Sequence, residues 1–278
     1  MVVIPPLRHA VQIMQERSFG PKPAFAKNDI VFKNMTPKII AHRGDREHFP
    51  ENTIASFKSA VDKGVDAIEL DIHLSKDKKL IVHHDYFLGT TNNGEGLISE
   101  EDSQYIKSLD AGSWFSDQFA NEKVPFLEEV FELFGDKIVY EIELKGYTAE
   151  FLEIALGTAK KYGLVSSIEF TSPHAQVLSR VKEMEPNATI GVFIQEYPSW
   201  MSASLGEDII KGTAILGRLD VVHCPLLILS KEFVGQLHDL GLKVHAANCD
   251  TEESIQRAIE LKVDQFSTNK VDLALSLK

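Results

Sequence analysis

Cysteine is scarce in this chain: of 278 residues only Cys224 and Cys249 carry thiols. Two are too few for the disulfide framework that staples small secreted folds, so they read as buried free thiols in a reducing compartment. Long apolar runs are missing as well. No stretch approaches the roughly 18 apolar residues of a membrane span, and "MVVIPPLRHAVQIM" has no basic segment leading into a continuous apolar one. No signal peptide and no stable membrane insertion are therefore expected, and the chain reads as cytoplasmic. Positive charge is in deficit, with 29 Lys and Arg against 41 Asp and Glu, a formal net charge of −12 and a pI near 5.3. Without a Lys/Arg run there is no electrostatic footprint for nucleic acid. A small anionic substrate stays compatible, because a bound cation and two or three local basic groups override the global field. Low-complexity tracts and long internal repeats are also absent.

What remains is an ordinary globular composition, 44% hydrophobic and 25% charged, that can bury a large core. Its length suits one (β/α)8 barrel of roughly 250 residues. Residues 1–36 stand apart: "IPPLRHAVQIMQERSFGPKPAF" offers one short helix and a break at Gly20-Pro21, and reads as an N-terminal extension of a domain over 37–278. From Lys38 onward short apolar strands alternate with amphipathic helices. "KIIAH" is a strand. "NTIASFKSAVDKG" is a helix capped by Asn52 or Thr53, with Ile54, Phe57, Ala60 and Val61 on one face and Gly64 as its stop. "VDAIELDIHL" and "KKLIVHHD" are strands, and an insertion over about 89–126 follows this third strand; segments this long are usually functional or form a small subdomain. "KIVYEIELK", "SIEFTS", "ATIGVFI", "LDVVHCP", "KVHAAN" and "VDQFST" continue the series. That makes nine strand-like segments for eight places, so one is misread or lies outside the sheet. Repeated βα units imply a parallel sheet, with a closed TIM barrel as first choice and a doubly wound open sheet as the alternative.

Residues i and i+2 of a strand share a face. In "AIELDIHL" that puts Glu69, Asp71 and His73 on one side and Ile68, Leu70 and Ile72 on the other. "YEIELK" repeats the arrangement with Glu141, Glu143 and Lys145. If the apolar sides pack on outer helices, the carboxylates face the barrel interior, where they are costly unless partnered. A divalent cation is the strongest partner, and oxygen donors suit Mg2+ or Ca2+. The rival reading has Lys145 and Arg43 alone neutralise the acids in buried salt bridges. His42 and His84 also fall at predicted strand C-termini, the face that carries barrel active sites. Two histidines flanking a carboxylate cluster fit an acid and a base working across one bond. Arg43 suits a phosphate oxygen, and Gly44 lets the backbone turn tightly after His42. His48, His73, His83, His223, His238 and His245 read as surface, core or barrel lining.

Taken in series, "HRG" at 42–44, "PENT" at 50–53, "ELD" at 69–71, "HHD" at 83–85 and "ELK" at 143–145 resemble the glycerophosphodiester phosphodiesterase family. "TTNNGEGLI", "LDAGSWFS" and "VPFLEEV" are similar to that family's inserted segment. The match is close over about 38–145 and looser beyond. The resemblance implies a TIM barrel that hydrolyses glycerophosphodiesters to glycerol 3-phosphate and an alcohol, with a divalent metal, Mg2+ or Ca2+. It also implies His42 and His84 as the catalytic pair, Glu69, Asp71 and Glu143 as metal ligands, and Arg43 and Lys145 as phosphate contacts. Glu51 would support these residues from behind, with Asn52 as a helix cap. The C-terminal half departs from the family pattern: His245-Ala246-Ala247-Asn248 stands where "WTVN" is usual, and Thr268-Asn269 where "TD" is common. A tryptophan lost from the pocket wall bears on substrate preference more than on chemistry; Trp114, Phe115 and Trp200 are candidates to line the mouth instead. Two rivals stay open: a lysophospholipase D-like phosphodiesterase whose inserted segment acts as a lid, and a protein that captures polyol phosphates without turnover. A sugar isomerase or aldolase barrel would need a Schiff-base lysine or a proton-shuttle pair, which this set does not suggest. Neither the alcohol nor the oligomeric state is legible in these motifs.

Overall fold

Nine strands form in the computed structural model, which describes residues 36–278; all but the last residue of the expected N-terminal extension lies outside the described residues. They are β1 (Lys38–Ala41), β2 (Ala67–Leu74), β3 (Leu80–Val82), β4 (Val139–Leu144), β5 (Ile168–Ser172), β6 (Thr189–Phe193), β7 (Val221–Pro225), β8 (Lys243–Ala247) and β9 (Gln265–Thr268). Eight are parallel and close on themselves in the order β1, β2, β4, β5, β6, β7, β8, β9. The closing seam pairs Lys38 with Gln265 and Ala41 with Thr268, which excludes the open doubly wound sheet. The surplus segment is β3. It runs antiparallel to β2, pairing Ile72 with Val82 and Leu74 with Leu80.

The hairpin has a simple cause. β2 meets β1 only at Ala67 and Ile68, but continues beside β4 as far as Ile72. Its upper part overshoots the rim and leaves an edge free on the β1 side, which β3 fills. The connection Lys76-Asp77-Lys78 is a three-residue loop with Lys78 at φ 67°, and Ser75 N donates to Lys79 O at 2.9 Å.

Helix α1 (Ile54–Lys63) starts at Thr53, whose hydroxyl accepts from Ser56 N, and stops at Gly64 with φ 86°. Two short helices belong to the excursion between β3 and β4, α2 (Ser103–Ser108) and α3 (Leu127–Phe134). Outer helices α4 (Ala149–Lys161), α5 (Ala175–Met184), α6 (Ala203–Gly217), α7 (Lys231–Asp239), α8 (Glu252–Leu261) and α9 (Val271–Leu277) complete the chain. The core lies between barrel and helices: Ile68, Leu70 and Ile72 join Phe57, Phe131, Tyr140, Phe151 and Phe170 there. A separate small core joins Ile81 of β3 and Leu88 to Ile98, Ile106, Leu109 and Val124 of the inserted segment.

Inside the barrel, where branched apolar residues usually fill the layers, this chain places a polar plug. His223 Nε2 donates to Glu169 Oε1 (2.5 Å), Gln265 Nε2 donates to Glu169 Oε2 (3.0 Å), and His245 Nδ1 lies 3.2 Å from Glu141 Oε2. Gly191 makes the room, since a Cβ there would stand 2.5 Å from His223 Nε2. Burial pushes Glu141 up to about 8 and His245 down to about 4. Glu141, His223 and His245 bring donor atoms within 4.8 Å of one another. The two rings stack at 4.1 Å and 28°.

Candidate active site

His42 is the first residue beyond β1, at the C-terminal rim. The chain then turns through Arg43 and Gly44, both with positive φ (58° and 81°). Glycine is required at 44, because a Cβ would stand 2.4 Å from Ser56 Oγ. The turn aims Arg43 N at Glu69 Oε2 (2.8 Å). The Arg43 guanidinium donates from Nη1 to Glu51 Oε1 (2.8 Å), and its Nε lies 3.5 Å from Asp71 Oδ2. Glu51 also holds Arg46 at 2.5 Å and so anchors two arginines. Asn52 differs from the expected helix cap: Thr53 caps α1, and Asn52 Nδ2 donates to Asp71 Oδ2 at 2.9 Å.

β2 and β4 are paired with Asp71 opposite Glu143 and Glu69 opposite Glu141. Glu69, Asp71 and Glu143 thereby offer carboxylate oxygens that lie within 4.8 Å of one another. Lys145, just past β4, reaches back between them, with Nζ 2.6 Å from Glu143 Oε1 and 3.0 Å from Asp71 Oδ1. The salt bridges of the rival reading therefore exist, yet they leave the cluster unbalanced. Burial and the neighbouring Asp71 push Glu69 well above the usual carboxylate range and Glu143 up to about 7. Burial acts on Asp71 too, but Lys145 and Arg43 outweigh it and hold Asp71 low. Lys145 meets Asp71 Oδ1 off axis, and that buried oxygen accepts no hydrogen bond. Three converging carboxylates, two of them disfavoured as anions and one with an unmatched oxygen, fit a hard divalent cation.

His84 reaches the same mouth by another route than the one expected. It follows an antiparallel strand, not a parallel one: β3 descends from above the rim, and His83 N donates to Asp71 O at 3.1 Å. His84 Nδ1 lies 2.7 Å from Asp85 Oδ1, and the side chain is 36% exposed, open to the mouth. His83 faces the loop behind, donating from Nδ1 to Asp85 O and accepting at Nε2 from Asn92. His73 packs edge-on against Tyr86 and donates to His84 O at 3.2 Å, supporting that segment.

His42 is deeper. Its Nδ1 lies 2.8 Å from Asn269 Oδ1 and its Nε2 3.9 Å from Glu69 Oε2. Burial, reinforced by Arg43, lowers it to about 4. Of the aromatics expected at the mouth, Trp114 and Phe115 pack edge-on against each other, and Phe115 packs on Phe119, which meets Phe49; Trp200 is 75% exposed. Sequence reasoning missed Tyr86 and Tyr147, whose hydroxyls meet at 2.6 Å. They wall a cavity of about 510 Å3 together with His73, Lys145 and Phe151. The aromatic beside the "HHD" motif was the available signal for Tyr86.

The model of the glycerophosphoryl diester phosphodiesterase family matches residues 42–273. The chain belongs to this family. Among its relatives, a glycerophosphodiester phosphodiesterase of Caldanaerobacter subterraneus subsp. tengcongensis is 34% identical over 251 residues, covering 87% of this chain and 98% of the relative. A Bacillus subtilis enzyme of the same name is 32% identical over 257 residues, covering 86% and 85%. An Oleispira antarctica phosphodiesterase, solved with the product sn-glycerol-3-phosphate, superposes with a TM-score of 0.77 at 25% identity, covering 87% of this chain and 96% of that one. The family carries the enzyme class with it, so the chain is a phosphodiesterase of the glycerophosphodiester type.

Proposed function

We propose that the protein hydrolyses glycerophosphodiesters to glycerol 3-phosphate and an alcohol, with a divalent metal ion and with His42 and His84 as the acid–base pair. One observation carries the reading: His42, Arg43 and Lys145 surround two buried carboxylates and a half-buried one at the rim, with His84 near enough to act on Asp71 electrostatically. Breaking the P–O bond expels an alkoxide, a poor leaving group that needs a proton as it departs. The attacking hydroxyl, from water or from the glycerol 2-position, must lose one. General acid–base catalysis of this kind contributes on the order of 10²–10⁴-fold. His84, oriented by the Asp85 carboxylate, is assigned the role of acid, and His42, backed by a neutral amide, that of base. Arg43 and Lys145 oppose the charge gathering on the nonbridging oxygens. If the 2-hydroxyl attacks, a cyclic phosphate forms first and water opens it. Glu69, Asp71 and Glu143 would hold a divalent ion, whose Lewis acidity would help offset charge on the phosphoryl group; the donor set suits Mg2+ or Ca2+.

The lysophospholipase D reading draws on one feature, the cavity of about 510 Å3 beside Lys145 with Tyr86, Tyr147 and Phe151 in its wall. Among the described residues no helix is long and apolar enough to cross a membrane. The free, buried thiols of Cys224 and Cys249 support a reducing compartment, and we propose the cytoplasm. The test is glycerol 3-phosphate release from glycerophosphocholine by metal-stripped protein, with Mg2+, Ca2+ or Mn2+ restored separately. Metal-dependent release that vanishes in His42→Ala and His84→Ala supports the proposal. Choline release from lysophosphatidylcholine without turnover of glycerophosphocholine would favour the rival, and tight binding without product would make it a capture protein.

A further inference from the structure

We propose that Asn269, clamped by Asp250, is a positioning residue that fixes which ring nitrogen of His42 faces the substrate. This rests on the reading of His42 as a catalytic residue. The placement follows from the barrel seam. Ala41 pairs with Thr268, and His42 N donates to Thr268 O at 3.1 Å, so His42 and Asn269 leave neighbouring strands side by side at the rim. Asp250, three residues beyond β8, accepts three hydrogen bonds from the same corner. Its Oδ1 takes Asn269 N (2.6 Å) and Thr268 Oγ1 (3.2 Å); its Oδ2 takes Asn269 Nδ2 (2.6 Å).

The carboxylate can only accept, so the NH2 group of Asn269 must be the end that faces it. That leaves Oδ1 of Asn269 toward His42, and a carbonyl oxygen can only accept as well. His42 Nδ1 therefore carries the proton, and in the uncharged ring Nε2 presents a lone pair. Nε2 is also the nitrogen on the Glu69 side, toward the carboxylate triad. The clamp thus sets both the orientation and the tautomer of the ring. In this chain the negative charge stands on Asp250, and a neutral amide separates it from the histidine.

Replacing Asp250 by Asn removes one of two acceptor oxygens. The remaining oxygen stays with the fixed Asn269 N–H and Thr268 Oγ1, so the Asn269 side chain regains a partner by turning its amide over, which aims Nδ2 at His42 and forces the other tautomer. The double variant Asp250→Asn/Asn269→Asp restores every bond with the roles exchanged. Its amide at position 250 donates to the carboxylate at position 269, and that carboxylate accepts from His42. The experiment compares kcat, KM and melting temperature of Asn269→Ala, Asp250→Asn and the double variant with the native protein and His42→Ala. It is joined by 15N NMR of histidine-labelled protein, which reads the tautomer without any turnover. The expected result is a kcat loss of about 10–100-fold in both single variants, with KM little changed, and recovery in the double variant. His42 should carry its proton on Nδ1 in the native protein and on Nε2 in Asp250→Asn. Native kcat in Asn269→Ala beside an inactive His42→Ala overturns the relay and leaves His42 catalytic. An unchanged tautomer in Asp250→Asn overturns it independently of activity. A fully active His42→Ala removes His42 from the chemistry, and the NMR arm alone then decides whether the clamp exists.

Discussion

Replacing Lys145 by Met tests whether the ammonium group and a metal ion share the same oxygens. Lys145 is 10% exposed and stands between Asp71 and Glu143, both within 3.0 Å. Removing one partner of a buried ion pair costs about 3–5 kcal/mol, because the remaining charge stays uncompensated. For a protein of this size each kcal/mol moves the melting temperature by about 2–4 °C. Metal-stripped Lys145→Met should therefore melt about 6–20 °C below metal-stripped native protein. Metal should act in the opposite sense. The oxygens that Lys145 no longer holds are open to Mg2+ or Ca2+, and an ion at 100 times its Kd stabilises by about 2.7 kcal/mol. In thermal melts with EDTA and then with rising metal, the variant should gain more than the native protein. Its turnover should still fall, since a phosphate contact has gone. A variant that melts like native protein in EDTA, or one that gains less from metal, refutes the reasoning.

Glu69→Gln should raise the metal concentration needed for half activity without unfolding the turn, because the amide oxygen can still accept from Arg43 N; an unchanged metal titration removes Glu69 from the ligand set. Cys224 and Cys249 are fully buried and pushed up to about 12 by that burial. They should ignore a thiol-titrating disulfide until denaturant is added and then react as two groups per chain, whereas reaction in the native state contradicts the packing. His245 is held by burial at about 4 against an ordinary 6.5, so the unfolded chain binds its proton more readily. Stability should be intact above pH 6.5 and lost as pH falls toward 4. Between pH 7 and 5 the native protein should lose about 2 kcal/mol relative to His245→Gln, and parallel urea midpoints at the two values would count against this.

The period-2 alternation in "AIELDIHL" and "YEIELK" made the inward acids legible, because burying Ile68, Leu70 and Ile72 on the helices leaves Glu69 and Asp71 no other direction. The same local logic could not place β3. Three apolar residues look alike in a barrel strand and in a hairpin, and only the overshoot of β2 decides between them. Helix α6 escaped because Gly206, Gly212 and Gly217 dilute its periodicity and lower its propensity. The segment "NTIASFKSAVDKG", with a clear cap and an apolar face, matches α1 closely. The plug of Glu141, Glu169, His223, His245 and Gln265 draws on five strands, and the His42–Asn269 pair spans 227 residues of sequence. Such contacts exist only once the barrel has closed, so no local pattern announces them.

The hairpin between β2 and β3 has a consequence for length variation in this chain. His83 and His84 are adjacent but face opposite ways, one into the loop behind and one toward the mouth. Adding or deleting one residue in Lys76-Asp77-Lys78 slips the register by one and exchanges the two faces. The chain would then offer His83 to the mouth, without the Asp85 carboxylate beside it. A change of two residues keeps the face but shifts the ring by about 7 Å along the strand. This turn is a ruler for the position of one imidazole, and its length should vary less among functional variants than its exposed composition.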